Sequence, residues 1–161
     1  MKFFCSIFFM LAAMSVSAQD YRVVNNELKI LKEISFKENT AFLLPSAGES
    51  LIVIKKYLDD KSFISQLRIE AHVNIFGNAA KDQRLSEERA KAVYNKLVSL
   101  GTDCKRLVVT GFGNSKPVAD QGDNEKMANT NIRFVNVSIR GRLIGGLPAD
   151  GGGKKITTAC K

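Results

Sequence analysis

The segment that most constrains the fold runs from residue 69 to residue 101 and combines a strand, a loop and a helix. At its start apolar and polar residues alternate strictly, with Ile69, Ala71 and Val73 set between Glu70, His72 and Asn74. This alternation is the pattern of a strand with one buried face. A polar loop over residues 75–84 is predicted to follow the strand, and a helix follows the loop.

The helix is predicted from apolar residues that recur at helical spacing, which are Ala90, Val93, Tyr94 and Leu97. Ser86 is the predicted N-cap, and Glu87 and Glu88 lie in the first turn, where the helix dipole favours acids. Gly101 is a natural place for the helix to end.

Two polar residues of this segment are predicted to face one groove, Asn74 from the loop and Arg89 from the helix. Arg89 lies at the edge of the apolar stripe, so its stem can pack while its guanidinium points into the groove. A groove with a fixed cation at its edge suggests a receptor for a carboxylate.

The remaining elements are predicted from the same two periodicities. Ser46 and Glu49 have the spacing of a capping box, and the apolar residues behind them recur at helical spacing: Ala47, Leu51, Ile54 and Leu58. Three further strands are predicted at residues 29–36, 107–110 and 135–139, whereas residues 21–26 show no clear periodicity.

The order of these elements predicts an α/β fold, a two-layer sandwich with the order β-α-β-α-β-β. Two helices can cover one face of a mixed four-stranded sheet. Crossovers through the helices should be right-handed and join parallel strands, and the last strand, reached through a long loop, is free to run antiparallel. The residues from 141 to 161, rich in Gly and Lys, are predicted to be a flexible tail.

The first eighteen residues have the pattern of a secretory signal peptide. Basic Lys2 precedes an apolar run, and small residues lead to a predicted cleavage site after Ala18. The run is shorter than the ~20 residues that span a bilayer. A lipoprotein anchor at Cys5 is the alternative, but no apolar segment precedes it. We therefore expect a periplasmic protein with no transmembrane segment in the mature chain.

Charge and cysteines add two expectations for an exported protein. The net charge of +8 suits an anionic surface or polymer, although a solvating charge without a partner is the alternative. Cys104 and Cys160 are the only cysteines after residue 18, and two thiols in an oxidising compartment can pair. An intermolecular bridge through Cys160 is the second possibility.

Four motifs occur in order along the chain. They are Phe36-x-x-Asn39-x-Ala41-x-Leu43-x-Pro45, then Ala71-His72-Val73-Asn74 with Gly77 and Leu85-Ser86-x-x-Arg89-Ala90, then Gly111-Phe112-Gly113 with Pro117, and finally Arg133-Phe134-Val135-Asn136-Val137. Together they resemble the OmpA-like peptidoglycan-binding domain, shared by outer-membrane protein A, the peptidoglycan-associated lipoprotein and the flagellar stator subunit. The resemblance covers residues 34–140, after a lead-in at residues 19–33.

The resemblance implies binding to the diaminopimelate of the peptidoglycan stem peptide, without a cofactor. The family's arginine falls on Arg89, a natural clamp for the ligand carboxylate. The loop of Gly77 together with Leu85 would shape the site. The backbone from Asn39 to Ala41 would line its opposite wall.

At two positions this sequence departs from the family. The aspartate that meets the ligand ammonium falls on Asn74, and a usual asparagine eight residues on falls on Asp82. One hypothesis is that Asp82 supplies the negative charge while Asn74 forms a neutral hydrogen bond. The alternative is that the acid was lost and Asp82 is a solvated loop residue.

Other functions fit the sequence less well. His72 is the only histidine and lacks the neighbours of a metal site or catalytic triad, so we expect it to orient the loop. No nucleic-acid-binding signature accompanies the basic charge, and no motif indicates an enzyme. The second function considered is a periplasmic protein-interaction module that keeps the fold without wall binding. An outer-membrane or periplasmic protein is then the expected partner.

Overall fold

The computed structural model describes residues 20–115, 130–144, 154–156, 158 and 160. The predicted signal peptide, Pro117 and most of the long loop before the last predicted strand lie outside the described residues. Two helices form one layer, α1 at Ala47–Asp60 and α2 at Ala79–Ser99. The strands are β1 Tyr21–Val24, β2 Glu27–Ile30, β3 Ile64–Val73, β4 Leu107–Gly113, β5 Thr130–Ile139, β6 Arg142–Leu143 and β7 Lys154–Ile156.

The strands form one mixed sheet with the order β1-β2-β5-β3-β4-β7, and β6 pairs with β5. β3 and β4 run parallel through the crossover that contains α2, as predicted. β5 runs antiparallel to both β2 and β3. The predicted two-layer α/β sandwich is therefore confirmed, and its four predicted strands correspond to the central strands β2, β5, β3 and β4.

The core lies between the two helices and the sheet. Its buried apolar side chains come from both layers, with Leu51, Ile54 and Leu58 from α1, Ala90, Val93 and Leu97 from α2, and Leu67, Ile69, Val109 and Phe134 from the sheet. Burying a side chain of this size contributes about 1.5–3 kcal/mol. The apolar residues whose spacing predicted the helices and strands are therefore the residues whose contacts join the two layers.

The start of the chain folds differently from the prediction. Residues 21–26, which show no periodicity, form β1 and the turn of a hairpin with β2. Asn25 and Asn26 have φ angles of 50° and 66°, and two consecutive left-handed residues match the tight hairpin turn for which Asn is favoured. The strand predicted at residues 29–36 ends at Ile30, and beyond it only Phe36 forms a bridge, with Leu43.

Of the two predicted helix caps, the position of Ser46 at the start of α1 is confirmed without its capping box, and Ser86 as the cap of α2 is wrong. Ser46 precedes α1 but makes no capping hydrogen bond, and Glu49 pairs with Lys32 instead. α2 begins at Ala79, because the Asn78 side chain accepts a hydrogen bond from the Lys81 amide at 3.0 Å. Residues 79–84 are therefore helical, where a loop was predicted.

Ser86, the predicted cap of the second helix, lies buried inside α2 and joins it to the sheet. Its hydroxyl donates to the Gln83 carbonyl and accepts from the Gly113 amide at 2.9 Å. α2 approaches β4 so closely that a Cβ at Gly111 would lie 2.7 Å from the Ser86 Oγ. Helix and strand could not pack at this distance with a larger residue at position 111.

Parts of the predicted flexible tail are anchored to the sheet. β6 pairs with β5 and β7 pairs with β4. Cys160 forms a disulfide with Cys104, with the two Cα atoms 5.6 Å apart. These contacts join residues distant in sequence and attach the described tail residues to the body of the protein.

A buried ion-pair network runs across the sheet through polar residues of β3. Glu70 accepts a hydrogen bond from Arg68 at 2.7 Å and lies 3.6 Å from both His72 and Arg133. Arg133 also binds Glu27 through two nitrogens at 2.9 and 2.6 Å. Burial raises the pKa of Glu70, but His72 and the two arginines outweigh it and lower that pKa to about 2.

Candidate functional site

The candidate site is formed by three segments: the residues after β3, the first half of α2, and residues 36–43. Within α2, Arg89 lies on the face that packs against the rest of the protein and is only 4% exposed. It is more deeply buried than a residue at the edge of the apolar stripe, which was the prediction. Two of its contacts come from residues 36–43, far away in sequence.

Within the part of the chain that the structure describes, the contacts of Arg89 leave its charge without a counter-ion. Its Nε donates to the Thr40 carbonyl at 2.8 Å, and its guanidinium carbon lies 4.8 Å from the centre of the Phe36 ring. Its Nη1 is buried and has no hydrogen-bond partner. Among the described residues, no carboxylate forms an ion pair with Arg89. Burial lowers the pKa of Arg89 from its usual value.

A buried guanidinium without an anion is an unfavourable arrangement for a folded protein. A buried polar group without a partner costs about 1–3 kcal/mol, and a charged group costs more. A carboxylate reaching Nη1 would remove this cost and could form a bidentate pair. The geometry of Arg89 is therefore that of a receptor for an anion.

Residues 37–42 form a tight turn that presents the Thr40 carbonyl to Arg89. The Lys37 amide donates to the Phe42 carbonyl at 2.8 Å, and the Thr40 hydroxyl links the Lys37 carbonyl to the Phe42 amide. Asn39 has a φ of 53°, which Asn tolerates better than most residues. Asn39 and Ala41, predicted to line the wall opposite Arg89, thus flank its hydrogen-bond acceptor.

Asp82 is not the solvated loop residue of the second hypothesis, whereas the hypothesis that it supplies a negative charge to a ligand stays a prediction. It lies in the first turn of α2 with no exposed surface, so it is neither solvated nor in a loop. Its Oδ1 accepts hydrogen bonds from the amides of Ile75 and Phe76 at 3.0 and 3.1 Å, and its Oδ2 is buried without a hydrogen bond. Asp82 therefore holds the loop between β3 and α2.

The other predicted residues have different environments. Asn74 is exposed directly after β3. Gly77 has a φ of 61° in the loop held by Asp82, a conformation that glycine adopts without strain. Leu85 is buried one turn before Arg89 and serves packing. Neither Asn74 nor Asp82 is among the contacts of Arg89 described above.

His72 packs within the sheet. Its ring is parallel to that of Phe112, with the centroids 4.9 Å apart, and its Nε2 lies 3.6 Å from Glu70. In the described part of the chain one group of three potential metal ligands occurs, formed by Asp103, Cys104 and Cys160. Both of its sulfurs belong to the disulfide, so this group offers no thiolate to a metal.

Phe36 was not predicted as a residue of the site, and Thr40 was included only as part of the backbone segment from Asn39 to Ala41, without its contact to Arg89. Phe36 does begin the first motif of the sequence, but its position over Arg89 depends on contacts between distant segments. The hydrogen bond between Arg89 and Thr40 joins residues 49 positions apart, and no local pattern predicts it.

No helix among residues 20–115, nor in the other described segments, combines the length and apolar character needed to cross a bilayer.

Comparison with known proteins shows which family and which relatives this chain is similar to. The family model described as "OmpA family" matches residues 35–131. The outer-membrane lipoprotein YfiB of Pseudomonas aeruginosa is 32% identical over 94 residues, covering 58% of this chain and 55% of that protein. The chain thus matches about half the length of this relative.

Solved structures show the same fold at low sequence identity. An outer-membrane protein of Borrelia burgdorferi has a TM-score of 0.55 at 22% identity, covering 74% of this chain and 96% of that one. The peptidoglycan-associated lipoprotein of Burkholderia pseudomallei has a TM-score of 0.50 at 22% identity, covering 64% and 84%.

Proposed function

Because this chain belongs to the OmpA family, we propose that it attaches non-covalently to peptidoglycan in the periplasm, through stem peptides of the diaminopimelate type. The observation that carries the proposal is the buried Arg89 guanidinium, whose Nη1 lacks a partner. A ligand carboxylate would supply the missing acceptor and the missing charge. The function is one of binding, not catalysis.

Relatives support the type of ligand. One protein of the same fold carries an association with peptidoglycan in its name, and another is an outer-membrane lipoprotein. A location at the cell envelope follows for this chain if it shares their function. An outer-membrane or periplasmic protein would then be a second partner, through which the wall and the membrane are linked.

The surrounding residues act on the ligand in different ways in this proposal. Arg89 grips the carboxylate, and Asn74 offers a neutral hydrogen bond from the end of β3. Asp82 acts indirectly, because its Oδ1 already accepts two backbone hydrogen bonds and fixes the loop that contains Gly77. The turn of residues 37–42 closes the opposite side through the Thr40 carbonyl.

The net charge contributes a second, weaker attraction. A chain of +8 is drawn to the free carboxylates of the wall over distances of about 10 Å at 0.1 M salt. This part of the binding should fall as salt is raised, whereas the contact with the buried Arg89 is screened less. Salt dependence therefore separates the two contributions.

Co-sedimentation with purified sacculi tests the proposal. The protein should pellet with sacculi at low salt, and Arg89→Ala should weaken the association by about tenfold, the loss of roughly 1.4 kcal/mol from a charged contact. Arg84→Ala is the matched control, since Arg84 lies on the same helix with 82% of its side chain exposed and pairs with Glu88. Equal pelleting of both variants with the unmodified protein would show that overall charge does the binding.

A protein-interaction module is the second candidate function, and an apolar groove favours it. The groove has a volume of about 380 Å³ and is lined by residues 42–45 together with Leu51 and Lys96. Phe42 at its edge is 67% exposed, and large exposed apolar side chains often mark contact sites. If the unmodified protein stays in the supernatant at low salt, this candidate replaces wall binding.

A further inference from the structure

β4 is the second strand from one edge of the sheet, and on that side it is covered by the short strand β7. It runs from Leu107 to Gly113 without a charged residue or a proline. A strand of this kind, left at an edge, is a template for pairing with another chain, and natural proteins protect edges with lysines, short strands or a covering segment. β1, at the opposite edge, is four residues long, mostly exposed and contains Arg22. β4 has no such protection in its own sequence.

β7 protects the edge of β4. Its residues pair antiparallel with Val109, Thr110 and Gly111 in the middle of β4. Two of its three residues are lysines, so the edge that the protein presents on this side is short and basic. Ile156 also packs against the core between the helices and the sheet. β7 therefore keeps other chains from pairing with β4.

The disulfide holds β7 in this position. Val109 pairs with Ile156, and outward along the two strands from this pair the chain reaches Cys104 on one side and Cys160 on the other. A three-residue strand makes few backbone hydrogen bonds, so its pairing depends on a link that keeps it near β4. β7 and Cys160 lie beyond residues 35–131, which the family model matches. The covered edge is therefore a feature outside the matched domain.

The disulfide is accessible to a reductant. Cys160 is exposed and Cys104 is half-buried. A thiolate of a dithiol reductant can attack the Cys160 sulfur, which breaks the bridge, forms a mixed disulfide and releases Cys104 as a thiolate. The second thiol of the reductant then attacks the mixed disulfide and frees Cys160. Two electrons and two protons pass to the cysteines, which end as thiols, and the reductant ends as a disulfide.

We propose that this disulfide is a redox-controlled latch on the sheet edge, and that its reduction lets β4 pair with β4 of a second copy of this chain. Identical strands can pair antiparallel about a two-fold axis. Because β4 contains no charge, this pairing brings no like charges opposite each other. A second copy also offers a strand of matching length, which β7 does not.

Sedimentation velocity of the purified protein, with and without dithiothreitol, tests the latch. We expect a monomer in the oxidised form and a concentration-dependent dimer in the reduced form. Cys104→Ser/Cys160→Ser should dimerise without reductant. The same double variant should not respond to dithiothreitol, which would exclude effects of the reductant elsewhere in the chain. Circular dichroism checks that it keeps the fold.

Val108→Lys, added to the double variant, distinguishes pairing of two β4 strands from an exchange of β7 between copies. Val108 is half-buried in β4, and a lysine in an edge strand disfavours pairing with a second chain. β7 pairs with residues 109–111 and not with position 108, so its exchange should tolerate the lysine. We expect Val108→Lys to restore the monomer. Val53→Lys, at a half-buried valine of α1, is the matched control and should leave the dimer intact.

Hydrogen–deuterium exchange measures the release of β7 separately from dimerisation. At concentrations where the reduced protein is monomeric, the amides of residues 107–113 should exchange about tenfold faster than in the oxidised protein. Residues 64–73 of β3, which lie between β4 and β5, should change little. At higher concentration, protection of residues 107–113 should return as the second copy covers the edge.

Four results would overturn the inference. The reduced protein and the double variant could both stay monomeric, or the oxidised protein could dimerise to the same extent. A dimer that persists with Val108→Lys would indicate exchange of β7 instead of pairing between β4 strands. Unchanged exchange of residues 107–113 on reduction would show that β7 stays in place without the disulfide. None of these measurements involves peptidoglycan, so their outcome is independent of wall binding.

Discussion

The buried Arg89 and the half-buried Arg106 have opposite surroundings, and exchanging each for methionine separates a binding role from a structural one. Arg106 donates to the carbonyls of Leu58, Lys61 and Ile64, at distances of 2.7–3.1 Å. It thereby links the end of α1 to the start of β3. Arg89 makes one such bond, to Thr40, and leaves Nη1 unpartnered. Methionine has a similar length and flexibility and no charge.

The contacts predict very different losses for the two variants. Arg106→Met leaves three carbonyls without their charged donor, and at about 1.5–3 kcal/mol for such a bond, discounted for partial exposure, the unfolding free energy should fall by roughly 3–5 kcal/mol. Arg89→Met loses one bond and a cation–π contact with Phe36. It also removes a buried charge without an anion, a cost of similar size. We expect the unfolding free energy of Arg89→Met to stay within about 1 kcal/mol of the original.

Urea unfolding followed by circular dichroism measures the unfolding free energies of both variants by linear extrapolation. The comparison requires that the dependence of the unfolding free energy on urea concentration is the same in each variant as in the unmodified protein. Arg89→Met should retain stability and lose sacculus binding. If it is destabilised as much as Arg106→Met, the Arg89 guanidinium is a structural group, and the argument for an anion receptor fails. A wall fragment that raises the melting temperature of the unmodified protein but not of Arg89→Met would independently support a role of Arg89 in binding an anion.

Three further predictions concern stability. Asp82→Ala should lower the unfolding free energy in urea by about 3 kcal/mol, because two amides lose a charged acceptor, whereas Asp82→Asn keeps an acceptor and should lose less than half as much. Glu70 has a pKa lowered to about 2. Ionised Glu70 therefore adds about 3 kcal/mol to the free energy of unfolding above pH 4.5, and this contribution is lost as pH falls toward 2. Glu70→Gln should flatten the pH dependence of the unfolding free energy, measured in urea, over this range. Gly111→Ala places a Cβ 2.7 Å from Ser86 Oγ and should cost about 1–3 kcal/mol, whereas Gly48→Ala in α1 meets nothing within 4 Å and should raise the melting temperature. Equal losses of stability in Asp82→Ala and Asp82→Asn would contradict the role given to the Asp82 carboxylate, and equal effects of Gly111→Ala and Gly48→Ala would contradict the close packing at Gly111. An unfolding free energy of Glu70→Gln that still falls with pH as in the unmodified protein would contradict the role of Glu70.

Periodicity predicted the parts of the fold whose pattern spans several turns or pleats. In β3, in the buried stripe of α2 and in β5, the apolar pattern repeats over enough residues to distinguish a strand from a helix. The predicted start of α2 was wrong because several residues could cap this helix, and Asn78 competes with Ser86 for that role. Which one caps depends on how Ser86 packs against β4, a contact between distant segments.

Short elements and tail strands had no such signal. β1 is four residues long and mostly exposed, so its side chains carry little pattern. The Asn25–Asn26 turn did contain a hairpin signal, which the prediction overlooked. β7 is held by pairing with β4 and lies close in sequence to the disulfide-bonded Cys160. Neither constraint is local in the sequence.

Prediction of the candidate site was limited in the same way, by contacts that the sequence does not show, and this limit affects the interpretation of function. The resemblance indicated Arg89, but only the three-dimensional contacts reveal that its charge is buried with no anion paired to it among the described residues. They also reveal that one carboxylate oxygen of Asp82 accepts from two backbone amides while the other has no hydrogen-bond partner. From sequence, Asp82 looks able to replace the acid absent at position 74, since the two lie near each other along the chain. The fold directs its Oδ1 into the loop that Gly77 helps to form. Charge compensation between neighbouring positions therefore cannot be inferred from residue types alone, because it depends on what each carboxylate oxygen already accepts.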